Sequence, residues 1–276
     1  MILISGIAHK APALINDQII LYNLAMGGEQ NCHHVLHINA DSVRSGLLQD
    51  LQLPNNVTVN PNHLYTRRPT FLGCHVSNIL HATRSGLNFS HVYMHTDSDI
   101  PYRHGLGAHI LSYDIGMNVP SVFNPDNSMG IWARPVGKDF RLSSFIEEIG
   151  DGNIYTCRYE GMFATRLLMS EIFAQMMAVW PFDENYWRAD YPYEEFALPT
   201  ITVNLLRNRT LKRTRNAVVT GPSHARYNLR SRECLNVANI PVLNAEPEGV
   251  FAAKFAPPEL DSAVRIFARR SLGLMQ

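Results

Sequence analysis

Hydrophobic residues change period along the chain in a regular way. A short apolar run over residues 2–7 is followed, over 11–26, by Leu14, Ile15, Ile19, Leu21, Tyr22 and Leu24 at helical spacing, until Gly27-Gly28 stops it. That predicts a strand and then a helix. A second apolar run at 34–38 precedes a short helix reaching Asp50, for which Asp41 or Ser42 offers a cap, and 56–59 reads as a third strand after Pro54. The spacing then predicts a long helix over 70–87 and a strand over 90–95 that runs into the polar turn 96–101. Strands alternating with helices predict an α/β fold with a mostly parallel central sheet covered on both faces. From 124 to 153 Gly, Pro, Asn and Asp accumulate, which predicts loops. Residues 162–179 predict an amphipathic helix with Leu167, Leu168, Ile172, Phe173 and Met176 inward, its methionines acting as core filler.

Ligands of open α/β sheets bind beyond the carboxyl ends of the strands. His9, Asn39 and Asp97 to Asp99 all fall there, so a candidate site exists before any motif is considered. Composition narrows the partners. The chain has 276 residues, 24 Lys+Arg against 24 Asp+Glu, 46% apolar and only 17% charged residues. This fits one globular domain over 1–276 and excludes a disordered tail or a polyanion-coating protein. No apolar stretch approaches the roughly 20 residues of a membrane span, and the first residues lack the basic region of a signal peptide. Four scattered cysteines show no C-x-x-C spacing, so neither a disulfide framework nor a zinc site is indicated. The expectation is a cytoplasmic protein, at most peripheral to the inner face of the membrane.

Several constellations carry chemistry. Asp97-Ser98-Asp99 at a strand end has the D-x-D form that holds a divalent cation on a diphosphate, although Asp and Ser are equally natural turn residues. Twelve histidines show no H-E-x-x-H spacing, and no P-loop, G-x-S-x-G or G-x-G-x-x-G occurs. Glu194-Glu195, at the entrance to an apolar segment, offers a general base; a charge placed at a helix start is the plainer explanation. Residues 207–232 carry eight Lys or Arg and no acid, which makes a local anion site or a solvated loop.

Read in order, these segments resemble the core-2/I-branching family of N-acetylglucosaminyltransferases, which also contains the peptide xylosyltransferases. Ala8-His9-Lys10 resembles the family's A-H-K or H-H-K strand end, and Leu36-His37-Ile38-Asn39 its V-H-V-D strand, with Asn39 in place of the acid. Asn56-Val57-Thr58-Val59 and the turn Thr96-Asp97-Ser98-Asp99-Ile100-Pro101 follow in the family's order. Glu194-Glu195 with Thr200 matches a D-E-x-x-x-x-T segment. Phe251-Ala252-Ala253-Lys254-Phe255 is close to F-A-N-K-F, and Arg215 stands six residues before Gly221.

The resemblance implies a GT-A-like nucleotide-sugar-binding sandwich and an inverting transfer of GlcNAc or a related sugar from a UDP-sugar to a glycan or glycolipid hydroxyl. It casts Glu195 as the general base and Arg215 with Lys254 as the cations on the diphosphate. His9, Asn39 and Asp99 contact the donor, and Glu160 and Trp187 the acceptor. Trp180, Tyr186 and Tyr191, with Trp187, offer faces on which a sugar ring could stack, or equally a surface loop packed on the core. It implies no metal and no cofactor beyond the sugar nucleotide. Two other readings stay open: a metal-dependent transferase using Asp97 and Asp99, and a non-catalytic glycan-binding module. Nucleic acid ranks last as a partner, because the remaining surface carries the balancing acids.

Overall fold

A computed structural model of the chain describes residues 1–66, 70–118, 120–126, 131–181, 190–219 and 233–275. In chain order the elements are β1 (Ile2–Ala8), α1 (Pro12–Ala25), β2 (Cys32–Ile38), α2 (Ala40–Arg44), β3 (Val57–Val59), α3 (Phe71–Arg84) and β4 (His91–Thr96). There follow β5 (Ile100–Pro101), α4 (Leu106–Leu111), β6 (Ile115–Gly116), β7 (Ser121–Phe123), α5 (Ala133–Gly137), α6 (Phe140–Glu148), β8 (Ile154–Thr156) and β9 (Phe163–Thr165). The last are α7 (Arg166–Val179), α8 (Ala197–Leu206), β10 (Arg213–Thr214), β11 (Val218–Val219), β12 (Ala252–Ala253) and a helix at Ala263–Ser271.

The central sheet has the order β10-β6-β9-β4-β1-β2-β3. All its strands run parallel except β9, which is antiparallel to both β4 and β6. The expected mostly parallel α/β sheet is therefore present. Every residue of β1 is buried, because both faces are covered. Leu3, Val35 and Met94 face a core shared with α3, α7 and α8, while Ile2, Ile4 and Tyr93 face one shared with α1 and the helix Ala263–Ser271. β11 and β12 form, with β5, a second small sheet beside the end of β4. Among the described residues no helix is long and apolar enough to cross a membrane.

Four expectations need correction. The helix after β2 is capped by Asn39, whose side chain accepts the Asp41 amide at 3.1 Å, and not by Asp41 or Ser42. The stretch 124–153 contains two helices; α6 starts on Asp139, which accepts the Arg141 amide at 3.0 Å, and turns Leu142 and Phe145 inward. Its cap and three-residue apolar spacing outweigh the loop-like composition. Residues 163–165 are strand, because the gap between β4 and β6 takes an extended segment, and the helix begins only at Arg166. Leu167 is 72% exposed, lying on the opposite face from Leu168, Ile172, Phe173 and Met176.

Candidate active site

The carboxyl ends of β1, β2 and β4 lie on one edge of the sheet, and β6 and β10, parallel to β4, end on that same edge. Asp97 fastens the chain leaving β1. Its Oδ2 accepts the backbone amides of His9 at 2.6 Å and Lys10 at 2.9 Å, and lies 3.1 Å from His9 Nδ1. Asp99 Oδ2 closes the turn after β4 by accepting the Thr96 amide at 2.7 Å and its hydroxyl at 3.3 Å. Gln18 of α1 donates to the carbonyls of Thr96 and Asp99 at 2.9 and 2.5 Å. The D-x-D pattern thus holds backbone first. The other oxygens, Asp97 Oδ1 and Asp99 Oδ1, are buried without a hydrogen-bond partner.

Glu160 enters from the turn before β9, and Lys254 from the end of β12. Lys254 Nζ lies 2.6 Å from Glu160 Oε1 and 3.7 Å from Asp99 Oδ1, with its side chain only 15% exposed. Glu160 Oε2 is a third buried carboxylate oxygen with no partner. Two backbone features hold this knot. Gly161 has φ +76° and sits so close to β11 that a Cβ would come within 2.6 Å of the Val218 nitrogen. Asn216 Nδ2 donates to the Glu160 carbonyl at 2.6 Å. Phe255, next to Lys254, has φ +69°, the one positive φ of a non-glycine among the described residues. Such strain gathers where surroundings over-determine a functional loop.

Glu195 completes the cluster through Arg158, with which it forms an ion pair. The backbone before α8 is anchored to the strand region as well, since the Cys157 amide donates to the Glu195 carbonyl at 3.2 Å. Thr200, the last residue of the D-E-x-x-x-x-T-like segment, uses its hydroxyl to accept the Tyr155 amide at 2.9 Å and to donate to the Tyr155 carbonyl at 3.2 Å. It ties α8 to β8 and fixes where Glu195 stands. Glu194, by contrast, is fully buried.

Burial sets the charges against one another. Burial pushes Asp99 up to about 6, with Glu160 adding to the rise and Lys254 and the Thr96 hydrogen bonds opposing it. Burial alone would also raise Glu160, but Lys254 and Arg158 hold it below its ordinary value. Lys254 rises despite burial because Glu160 and Asp99 face it. The hydrogen bond that the His9 ring donates to Asp97 raises His9, and although burial works against ionised Asp97, His9 holds it low.

Asp99, Glu160, Lys254 and Glu195, separated widely in sequence, therefore converge, and His9 stands at the same edge with a half-exposed ring. Two placements differ from expectation. Arg215 is not beside Lys254: it donates to the Glu248 carbonyl at 3.4 Å and lines a separate cavity at the ends of β6 and β10. The cation that acts on the Glu160–Lys254 pair is Arg158, which sequence reading missed. Asn39 stands at the end of β2 as expected, with its Oδ1 engaged as the α2 cap. Trp180 and Tyr191 are core residues that both donate to buried Asp139, at 3.0 and 2.8 Å, and offer no exposed ring. Tyr186 and Trp187 lie outside the described residues. Among the described residues no three His, Cys, Asp or Glu side chains are grouped to hold a metal ion.

No protein family and no curated protein matches the chain. Among solved structures, the galactosyltransferase LgtC in complex with donor and acceptor sugar analogs is similar over 99% of this chain and 95% of that one, at 10% identity and a TM-score of 0.40. S. aureus TarS is similar over 89% of this chain and 40% of its own, at 12% identity and a TM-score of 0.33. Neither overlap is close enough to carry a function across, so the chemistry rests on the residues of the site.

Proposed function

We propose that the chain is an inverting glycosyltransferase that moves a sugar of the GlcNAc type from a UDP-sugar to a hydroxyl of a glycan or glycolipid. The observation that supports this reading is the set of three buried carboxylate oxygens without a hydrogen-bond partner, Asp97 Oδ1, Asp99 Oδ1 and Glu160 Oε2, at the carboxyl edge of the sheet beside an Arg-held glutamate. Each unmet buried acceptor costs about 1–3 kcal/mol. The hydroxyls of a sugar are donors suited to relieving it.

In this reading Glu195 takes the proton of the acceptor hydroxyl as its oxygen attacks the anomeric carbon, while the bond to the diphosphate breaks and UDP leaves with the electron pair. A positioned base contributes about 100- to 10,000-fold, or about 3 to 5 kcal/mol. Arg158 acts as a positioning residue by fixing the direction of that carboxylate. Lys254 meets the charge that grows on the leaving diphosphate, where fixed electrostatics count most. His9 faces the nucleotide from the end of β1, and Asn39 shapes the end of β2. In this reading no metal takes part, and Lys254, 3.7 Å from Asp99, is the cation of the site.

Calorimetric titration of UDP, with and without EDTA, tests the reading. Binding that survives EDTA supports it. Binding that needs added magnesium or manganese would transfer the role to Asp97 and Asp99, and absence of UDP binding in both arms would end the transferase reading.

A further inference from the structure

A cavity of about 620 Å³ opens at the carboxyl ends of β6 and β10. β6 and β10 stand two and three strands from β4, and strands lie about 4.8 Å apart, so this cavity is about 10–14 Å along the same edge from Asp99. One wall is α8, contributing Thr202, Val203 and Leu206. Glu195 precedes that helix, and at 1.5 Å per residue these positions lie about 10–16 Å further along it. The cavity and the proposed base thus share one helix and one sheet edge.

Its lining has two characters. Ile115, Met117, Pro120, Val203 and Leu206 make an apolar trough, while Arg207, Arg213 and Arg215 stand around it with Asp151 as the one carboxylate in the lining among the described residues. Asp151 lies 3.9 Å from Arg207 and accepts the Tyr155 hydroxyl at 2.6 Å. Arg213 donates to the carbonyls of Leu206 and Arg209, and Arg215 to that of Glu248; neither has a carboxylate partner among the described residues. Among the described residues, two positive charges are left without a carboxylate on the wall. A separate sign of a missing ligand group is Thr202, fully buried in the lining with its Oγ1 unpartnered.

We propose that this cavity binds the acceptor, and that the acceptor has an apolar body carrying an anionic group, phosphate or carboxylate, held by Arg213 and Arg215. This rests on the reading of Glu195 as the base, since the acceptor must extend from the cavity to that residue. Guanidinium groups suit planar, bidentate recognition of such anions, and a volume of this size is that of an ordinary small-molecule site. The acceptor accordingly spans at least about 10 Å between its anion and its reacting hydroxyl.

The test is calorimetry with octyl phosphate, octanoate, octyl glucoside and inorganic phosphate, each below its micelle concentration, on the wild-type protein, Arg215→Gln and the cavity-filling Val203→Trp. The expected result is binding of octyl phosphate or octanoate at least about 10-fold tighter than of octyl glucoside or inorganic phosphate. Arg215→Gln should remove that preference, and Val203→Trp should abolish binding while UDP affinity stays within about 2-fold. The tighter of the two anions identifies the head group. Equal binding of octyl glucoside, equal binding of inorganic phosphate, or insensitivity to both substitutions would overturn the proposal. Octyl phosphate binding in a protein that does not bind UDP would leave this cavity standing and remove the transferase reading instead.

Discussion

Replacing Asp99 with Asn probes the charge balance of the site directly. Burial and Glu160 raise the folded-state value from 3.8 to about 6. Between those two values the folded protein holds a proton that the unfolded chain has released, so stability falls as pH rises from about 3.8 to 6. The full penalty above pH 6 is about 2.2 times 1.36, or about 3 kcal/mol. Asn has the same shape, can still accept the Thr96 amide, and does not titrate. The stability of wild type minus that of Asp99→Asn should therefore drop by about 1–2 kcal/mol between pH 5.0 and 7.5, measured by urea unfolding of both proteins at both pH values. Titrating groups remote from Asp99 act on both proteins and cancel in this difference. A difference that is flat within about 0.5 kcal/mol, or that rises with pH, would show that Asp99 is not the strained, charge-crowded carboxylate the geometry describes.

Lys254→Met should cost about 3–5 kcal/mol in denaturant unfolding, because it leaves Glu160 and Asp99 buried without their cation, and adding Glu160→Gln should recover most of that loss; a loss below about 1 kcal/mol would contradict the buried pairing. Gly161→Ala should destabilise by at least about 1 kcal/mol and weaken UDP-sugar binding, since a Cβ at φ +76° would collide with β11 behind Glu160; an unaltered melting temperature refutes it. Burial lowers His34 to about 3 and His37 and His95 to about 4, so below pH 6.5 the unfolded chain binds protons that the folded one does not. Each ring should subtract about 1.4 kcal/mol per pH unit as pH falls from 6.5 toward 4, and a melting temperature unchanged between pH 7 and 5 would count against their neutral burial.

Much of the frame was legible in the sequence because β1, α1, β2 and α3 have one period each and end on glycine, proline or polar residues. α6 was hidden: its signal is a cap at Asp139 and two inward residues, set in a stretch rich in loop formers. The site was legible in part. Glu195, Asp99 and Lys254 stood out through motif order and Glu160 only as a placement beside the sugars; nothing local links Glu160 to Lys254, which meet because β12 lies beside β11 and β11 presses on Gly161. Arg158 carries no motif; its one signal is a cation two residues before Glu160. The register placed Arg215 with Lys254 because spacing to Gly221 says nothing of direction, and the strand end at β10 takes it to the other cavity. Trp180 and Tyr191 looked like sugar platforms because their partner, the buried Asp139, lies some forty to fifty residues away.

The central claim, that Glu195 is a base acting in sugar transfer at this sheet edge, is tested most directly by the rate of UDP release from UDP-GlcNAc and related UDP-sugars, compared between the wild-type protein and Glu195→Gln alongside UDP affinity. The account predicts release that falls by at least about 100-fold while the UDP Kd stays within about 2-fold, as loss of an interaction made in the transition state requires. Equal release rates in the two proteins, or no release from any UDP-sugar by the wild type, would contradict it.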